Sequence, residues 1–333
     1  MGAWEEIVDY TVPSNTTSVI LDNFGTITKD DFIKISFTHT NSSGSGSEIS
    51  IFPNTTAGVS GHNTTTNYHR QELNGGDTGV GAARVNVNNV TFCPGNQTNY
   101  SLIYFKLSEN NRANFFNNNF RTLDSSLFTR FFYVTSSGVT FADPITSLTF
   151  TSTVTNGLGA NSRIQIYKLA AEKVADITVT SNTARVDITG LDIKKGDEYL
   201  LVSDVVTVNG DNFPNLMVNG NTTRSNYYSQ LIAGNGSTST AVRFNEAIYL
   251  AMNSAGQRAL GYSHIKLSNI GAYTSQNYTI KHMGTSDLRV ENFFISSTAE
   301  NITSINQLNI VSLANRNGTG SRFELYKLYE GGN

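Results

Sequence analysis

The sequence predicts an all-β protein made of two tandem, related antiparallel β-sandwich or jelly-roll domains. Three observations predict this fold class. Apolar residues alternate with polar ones over short segments, turn-forming residues separate those segments, and one stretch of sequence returns later in the chain. Of the 333 residues, 38% are hydrophobic and 11% aromatic, so each half has enough apolar surface to form a core.

The alternation has the period of two that is typical of half-buried strands. It is clearest at residues 33–38 (IKISFT), 185–188 (RVDI), 264–268 (HIKLS) and 322–328 (RFELYKL). A strand with this pattern buries one face and exposes the other, because successive side chains point to opposite sides of the sheet. These segments therefore favour sheets that pack on a core through one face.

Clusters of Asn, Gly, Ser and Asp lie between the alternating segments. Residues 156–157 (NG), 209–212 (NGDN) and 315–318 (NRNG) are examples, and Asn-Gly is a strong signal for a tight turn. Helical periodicity is scarce, and we expect only short helices, at residues 169–174 and 247–252. Many short strands separated by turns favour a sandwich or a jelly roll over a mixed fold.

A repeat divides the chain. Residues 161–169 (NSRIQIYKL) return 159 residues later as GSRFELYKL, and residues 67–71 (NYHRQ) return at the same shift as NYYSQ. A repeat of about 160 residues is far longer than a solenoid unit and large enough for its own core. The sequence therefore predicts an internal duplication, with one domain at residues 1–169 and a second at residues 170–333.

Composition excludes several partners and compartments. Charged residues make up 15% of the chain and the formal net charge is −3, so we expect neither nucleic-acid nor membrane binding. Cys93 is the single cysteine, which excludes an internal disulfide framework. The acidic start and the lack of a long apolar run predict synthesis in a cytoplasm.

Motifs for catalysis are weak, and no catalytic residue is predicted. The Gly-Tyr-Ser-His stretch around Ser263 lacks the final glycine of a nucleophile elbow and alternates like a strand. Adjacent carboxylates on a strand point to opposite faces, although a pair assembled from distant residues stays open. The histidines are interpreted as solvated or core residues; they are His39, His62, His69, His264 and His282.

No metal site and no cofactor are predicted. The histidine spacing builds no metal-binding face. Calcium remains an alternative, because loop carbonyls could join Asp77, Asp211 or Asp287, but the chain has no spaced oxygen-ligand motif.

Aromatic residues beside amides are the candidate binding residues. Phe115 and Phe116 precede three asparagines in an apparent loop, and Tyr227 and Tyr228 follow Asn226. Rings next to amides are typical of sugar sites and of protein interfaces. For Tyr227, which recurs as Tyr68 in the first copy, a structural role with a hydroxyl hydrogen bond is the favoured alternative.

Residues 226–238 (NYYSQLIAGNGST) and the ending at residues 320–328 resemble a β-rich module of tailed-bacteriophage virion proteins. The resemblance covers residues 175–328 and extends more faintly to the first copy. The first copy departs from the pattern at residues 74–77 (NGGD), where the second copy has Gly-Asn-Gly-Ser.

The resemblance implies a structural, non-enzymatic virion protein. Modules of this kind look like parts of tail fibres, tail accessories and capsid surface proteins. The leading expectation is a capsid decoration or head-fibre protein that docks on neighbouring capsid or tail subunits and forms a homo-oligomer. The alternative is a tail fibre or tail accessory adhesin that binds host-surface carbohydrate, and a third class is an enzyme that degrades polysaccharide.

These functions predict different surfaces. An adhesin should expose a concavity lined with aromatic residues, and a decoration protein should expose a flat apolar patch. A glycoside hydrolase should place two carboxylates across a cleft, about 5 to 10 Å apart.

Overall fold

Nearly all regular structure in this computed structural model is β-strand. The structure describes residues 3–54, 67–76, 79–85, 89–123, 126–136, 140–141, 144–208, 210, 214–235, 237–246, 250, 255–282, 288–298, 301–312, 314 and 316–329. The chain divides into two units. Trp4–Ala170 with Asn235–Thr238 form one, called the first unit, and Ala171–Gly234 and Ser239–Asn333 with Met1–Ala3 form the second unit.

The first unit contains β1 to β12 in the described residues. Their bounds are β1 Trp4–Thr11, β2 Ser18–Leu21, β3 Ile33–Asn41, β4 Ser47–Pro53, β5 Tyr68–Gly76, β6 Gly79–Val85, β7 Asn89–Cys93, β8 Gln97–Leu107, β9 Ala113–Leu123, β10 Ser126–Ser136, β11 Leu148–Ser152 and β12 Arg163–Leu169.

The second unit contains β13 to β23 in its described residues, and a single turn of 3-10 helix at Arg224–Asn226. The strands are β13 Glu172–Thr178, β14 Arg185–Lys194, β15 Glu198–Val206, β16 Asn215–Val218, β17 Tyr227–Asn235, β18 Thr238–Phe244, β19 Arg258–Leu267, β20 Tyr273–His282, β21 Leu288–Ser297, β22 Ser304–Val311 and β23 Arg322–Tyr329.

Each unit is a β-sandwich of one large and one small sheet. The first unit pairs an eight-stranded sheet, β1-β12-β3-β8-β9-β10-β5-β6, with a four-stranded sheet, β2-β11-β4-β7. Strand β3 shows why they pack: Ile33, Ile35 and Phe37 alternate with polar residues and are fully buried. Phe37 meets Phe150 of β11 edge to face, with ring centroids 5.7 Å apart, so the core lies between the sheets.

The second unit repeats this strand order. Its large sheet runs β13-β23-β15-β19-β20-β21-β17-β18, which matches the first large sheet strand for strand, and its small sheet runs β14-β22-β16. Leu201 and Leu325 of the large sheet share one buried cluster with Ile188 and Ile310 of the small sheet. The predicted all-β class and antiparallel sandwiches are confirmed; the internal duplication stays a prediction about the origin of this likeness.

The helix predicted at residues 169–174 is wrong. Leu169 ends β12 and Glu172 begins β13, with a two-residue bend between them. Glu172 and Lys173 are strand partners of Lys327 and Tyr326 in β23, so sheet pairing outweighs the helical propensity of the Leu-Ala-Ala-Glu-Lys run. Of the helix predicted at 247–252, all but Leu250 lies outside the described residues.

Candidate functional site

The candidate site is a groove on the outer face of the large sheet in the second unit. It has a volume of about 550 Å³ and crosses five neighbouring strands, β17 to β21. Its lining residues are Tyr228, Ser229, Gln230, Arg243, His264, Lys266, Thr274, Ser275, Gln276, Phe294, Ile295 and Ser296.

Strand alternation turns two aromatic rings toward the groove. On β17, Tyr227 is fully buried whereas its neighbour Tyr228 is 46% exposed. On β21, Phe293 and Ile295 are buried whereas Phe294 between them is 41% exposed. Because neighbouring residues of a strand face opposite sides, burial of one set in the core exposes Tyr228 and Phe294 on the outer face.

The strand register arranges the outward side chains in two rows. In the first row, His264 of β19 is opposite Gln276 of β20, which is opposite Phe294 of β21. Directly opposite residues in antiparallel strands have Cβ atoms about 5 Å apart. The row therefore places an imidazole, an amide and a phenyl ring side by side.

The second row runs parallel to the first and two residues along each strand. Lys266 is opposite Thr274, and Thr274 is opposite Ser296. The Thr298 N–H donates to the Asn226 carbonyl at 2.9 Å, and antiparallel pairing from that bond places Ser296 opposite Tyr228. The second row thus places the Lys266 ammonium and two hydroxyls on the same row as the Tyr228 ring.

The acid beside the groove is already engaged. Glu198 of β15 accepts from His264 Nδ1 at 3.3 Å and from Lys266 Nζ at 3.1 Å. The hydrogen bond from His264, followed by that from Lys266, holds the pKa of Glu198 below its ordinary value. Glu198 therefore offsets the charge of Lys266 at this end of the groove.

Arg243 is the uncompensated charge of the groove. Arg243 lies on the edge strand β18. Its guanidinium carbon is 5.9 Å from the centroid of the Tyr228 ring. Within the described part of the chain, no carboxylate is in ion-pair distance of Arg243. A guanidinium over an aromatic face keeps its donors free for another group.

The groove has the chemistry of a binding surface. Two exposed rings supply apolar contact area, and amide, hydroxyl and guanidinium groups supply hydrogen bonds. Its described lining includes three basic residues and no Asp or Glu. General acid–base hydrolysis of a glycoside would need a pair of carboxylates there.

The predictions for Phe115 and Phe116 as surface residues are wrong. Both lie in strand β9, not in a loop, and both are buried. Phe115 stacks on Phe105 of β8 with centroids 4.8 Å apart, and Phe116 meets Tyr133 of β10 edge to face at 6.1 Å. The asparagines that suggested a loop belong to the same strand.

Tyr227 is a structural residue, as its recurrence suggested, and its prediction as a surface residue is corrected. Its ring is buried, its Oη accepts from the Val218 N–H at 3.1 Å, and it donates to the Asn221 carbonyl at 2.9 Å. Tyr68, its counterpart, is equally buried. Of the four predicted residues, Tyr228 is the one exposed in the groove.

Sequence reasoning missed most of the groove. The sequence predicts no role for Phe294, Arg243 or Gln276, and it predicts His264 only as a solvated or core residue. Phe294 stands in a run of three apolar residues, 293–295 (FFI), so no alternation of apolar and polar residues separates that ring from Phe293 and Ile295. The approach of Tyr228 to Phe294 depends on pairing between strands far apart in sequence, which no local pattern encodes.

The corresponding face of the first unit is buried. Strand order and register equate His264 with Tyr104, Gln276 with Phe116, and Phe294 with Tyr133. All three first-unit residues are at most 9% exposed. Among the described residues, the two units therefore share a strand order but differ in this surface.

The calcium alternative has no structural test. Asp77, Asp211 and Asp287 all lie outside the described residues. In the part of the chain that the structure describes, no group of three His, Cys, Asp or Glu side chains is arranged to hold a metal ion. None of the helical residues described forms a segment long and apolar enough to cross a membrane.

Comparison with known proteins gives no assignment. No protein-family model matches the chain. No curated protein matches it either. Among solved structures, the chain is similar to the mouse laminin α1 chain, domains LG4-5, with 10% sequence identity and a TM-score of 0.19 over 96% of this chain and 93% of that one. A TM-score this low supports no argument about fold or function. Any proposal about function therefore depends on the sequence and on the groove.

Proposed function

We propose that this chain is a non-enzymatic surface protein of a tailed-bacteriophage virion and that it binds host-surface carbohydrate through the groove of the second unit. The observation that supports this proposal is the pair of exposed rings, Tyr228 and Phe294, which lie on neighbouring strands beside polar side chains of β20 and β21. The virion location derives from the sequence resemblance at residues 226–238 and 320–328.

The groove suits a sugar for a physical reason. The C–H faces of a sugar ring pack against flat aromatic rings, while its hydroxyls need both donors and acceptors. Gln276 and Thr274 of β20 and Ser296 of β21 supply both kinds of group beside the rings. Gln276 Nε2 already donates to Tyr278 Oη within the sheet. Against a purely apolar partner, the donor and acceptor positions that remain on these side chains would lose water without compensation, which is costly.

The other parts of the proposal come from the sequence resemblance and from the low charge of the chain. The protein acts by binding, uses no cofactor, and works as a homo-oligomer on a particle assembled in the host cytoplasm. Its partners are neighbouring capsid or tail subunits and a host glycan, with neither nucleic acid nor membrane. The absence of Asp and Glu from the described groove lining supports binding over hydrolysis.

A glycan array of neutral and acidic bacterial surface polysaccharides tests this function. Wild-type protein should bind a subset of the array, and Tyr228→Ala or Phe294→Ala should weaken that binding about tenfold or more, because each removes a stacking ring. Tyr329→Ala is the matched control, since Tyr329 is exposed in the same unit but lies outside the groove. Failure of the full-length protein to bind any glycan would reject the proposal.

Docking on a virion shell is the second candidate function. On β2 of the first unit, Val19 and Leu21 point into the core, whereas Ile20 is 56% exposed. A depression of about 300 Å³ lies between β1 and β2, which are edge strands of the described sheets, and Ile20 and Tyr10 help to line it. An apolar side chain between two open sheet edges favours contact with another subunit.

Coating of empty heads or tails measures this second function. Ile20→Glu should abolish coating if the depression docks on the shell. Ile270→Glu is the control, because Ile270 is a similarly exposed isoleucine of the second unit. Equal coating by wild type and Ile20→Glu would show that docking does not use this surface.

A further inference from the structure

We infer that the ligand of the groove is an anionic saccharide, whose carboxylate or sulfate is bound by Arg243. This inference rests on the proposed carbohydrate-binding function and specifies its ligand class. The inference comes from the charges around the groove, because the two rings alone do not determine the charge of the ligand.

The charges are unevenly compensated. Glu198 engages both His264 and Lys266, at 3.3 and 3.1 Å, so one carboxylate already serves the two basic groups of β19. Arg243 faces the groove from β18 with no carboxylate near it among the described residues. The net charge of the described lining together with Glu198 is therefore positive, and it is concentrated at Arg243.

The position of Arg243 suits recognition of an anion attached to a ring. Its guanidinium lies over Tyr228, 5.9 Å from the ring centroid, so a sugar packed on the exposed part of that ring would hold its acidic substituent beside the guanidinium. The planar fork of five N–H donors matches carboxylate and sulfate oxygens bidentately. A neutral sugar would leave those donors to water.

The groups that face Arg243 do not compete for it. Tyr228, Gln230 and Phe294 carry no charge, and Lys266 is paired with Glu198. Glu246, the acid three residues along the chain, pairs with Arg224 at 3.1 Å. An anionic ligand would thus be the first carboxylate or sulfate partner of Arg243.

Calorimetric titration with three probes of matched length tests the inference: a neutral dextran oligosaccharide, an oligogalacturonate and a sulfated dextran oligosaccharide. Wild-type protein should bind at least one acidic probe about tenfold more tightly than the neutral one, with an affinity that falls as salt rises. Arg243→Gln should remove this preference. Arg185→Gln should retain it, because it makes the same charge change on β14, where Arg185 pairs with Asp187.

The outcomes separate the two proposals. Preference for the oligogalacturonate identifies a carboxylate ligand, and preference for the sulfated probe identifies a sulfate ligand; either supports the inference when Arg243→Gln abolishes it. Equal binding of neutral and acidic probes, or an acidic preference that survives Arg243→Gln, overturns the inference but leaves carbohydrate binding in place. Absence of binding to these probes and to every glycan of the array rejects both proposals.

Discussion

His39 illustrates how a single buried side chain couples this fold to pH. It is fully buried in β3, stacks on Phe37 with centroids 5.3 Å apart, and donates from Nε2 to the Gly157 carbonyl at 2.8 Å. Its Nδ1 is buried without a hydrogen-bond partner. A proton added at Nδ1 would create a buried, unsatisfied donor on a charged ring, so burial lowers the pKa of His39 to about 4.

The first unit should therefore lose stability in mild acid. The unfolded chain takes up the proton near pH 6.5 and the folded chain only near pH 4, so the free energy of unfolding should fall by about 3 kcal/mol between these values. Urea unfolding at a series of pH values measures this slope. His39→Val, which copies the second-unit residue Val205 at the equivalent register position, should lose it. An unchanged slope in this variant would assign the pH dependence to other groups.

The neighbours Tyr227 and Tyr228 provide a matched pair of variants. Tyr227→Phe removes a hydroxyl that accepts from Val218 and donates to Asn221, and leaves the buried Val218 N–H unpaired. We expect a loss of about 1–3 kcal/mol in the free energy of unfolding. Tyr228→Phe, at the exposed position, should change it by less than about 0.5 kcal/mol. Equal losses in both variants would contradict the structural role of Tyr227.

Local sequence indicates neither the strand β9 nor the burial of Phe115 and Phe116. Asn117 to Asn119 suggested a loop, yet they continue β9, and the buried amide of Asn117 donates to the Val90 carbonyl. Asn117 Oδ1 is buried without a hydrogen-bond partner, whereas the donor Nδ2 is satisfied by a partner that lies 27 residues away in the sequence. Composition alone cannot supply this partner, which explains the error at Phe115 and Phe116.

At the scale of elements, the first strand of each unit has the same local irregularity. Pairing of β1 with β12 shifts between Glu6 and Val8, and pairing of β13 with β23 shifts between Lys173 and Ala175. After the shift, each of these two strands carries an aspartate that forms a bidentate ion pair with the neighbouring strand. The pairs are Asp9 with Arg163 and Asp176 with Arg322. The repeated motif in the sequence thus corresponds to a repeated edge contact.

Of these two ion pairs, the pair of Asp176 with Arg322 in the second unit is the less exposed to solvent. The side chain of Arg322 is 13% exposed, against 49% for Arg163, and it also lies 3.2 Å from the buried carboxylate of Glu324. Hydrogen bonds from Arg322, and then from Lys173, lower the pKa of Asp176 to about 2. The stabilisation by Asp176 is therefore complete above pH 4 and is lost as pH falls toward 2.

We expect Asp176→Asn to lower the free energy of unfolding of the second unit by about 1 kcal/mol at neutral pH, a value reduced for the partial exposure of the pair. Asp9→Asn, at the equivalent exposed pair, should have a smaller effect. Urea unfolding at low and at high salt measures both. A larger loss in Asp9→Asn would contradict the ranking by exposure.

At the scale of the whole molecule, the two units have separate hydrophobic cores. One buried cluster contains Ile166 and the other contains Leu325, residues that occupy equivalent positions of β12 and β23. Trp4 is the single tryptophan, and it lies in the first unit beside Phe32 and Tyr104, with centroids 6.2 and 6.1 Å away. Its fluorescence therefore reports on the first unit.

Leu325→Ala should destabilise the second unit by about 2–5 kcal/mol through a core cavity. Its urea transition measured by circular dichroism should split, while the Trp4 fluorescence transition should stay where it is in wild type. Ile166→Ala, the matched variant, should move the fluorescence transition. A shift of the Trp4 signal in Leu325→Ala as large as in Ile166→Ala would show that the two units unfold together.

The alternating segments predict the sandwich class because alternation of apolar and polar residues gives each strand one apolar face, and that face must pack on another sheet. Residues 161–169 form β12 and their repeat forms β23, the last strand of the second unit, which is why the repeat predicts a junction after residue 169. The groove is harder to predict. It requires Tyr228 and Phe294, 66 residues apart in sequence, to share one face of one sheet, and that depends on register across a non-local ladder.

The difference between the outer faces of the two large sheets determines how many grooves of this kind one chain offers. Tyr104, Phe116 and Tyr133 are buried where the second unit has its groove, so the described residues of one chain form one groove at this position and not two. Under the proposed function, repetition of the sandwich within a chain then adds no avidity for a glycan. Tight attachment to a surface would have to come from several chains that bind at once, with an effective concentration set by the spacing of neighbouring copies.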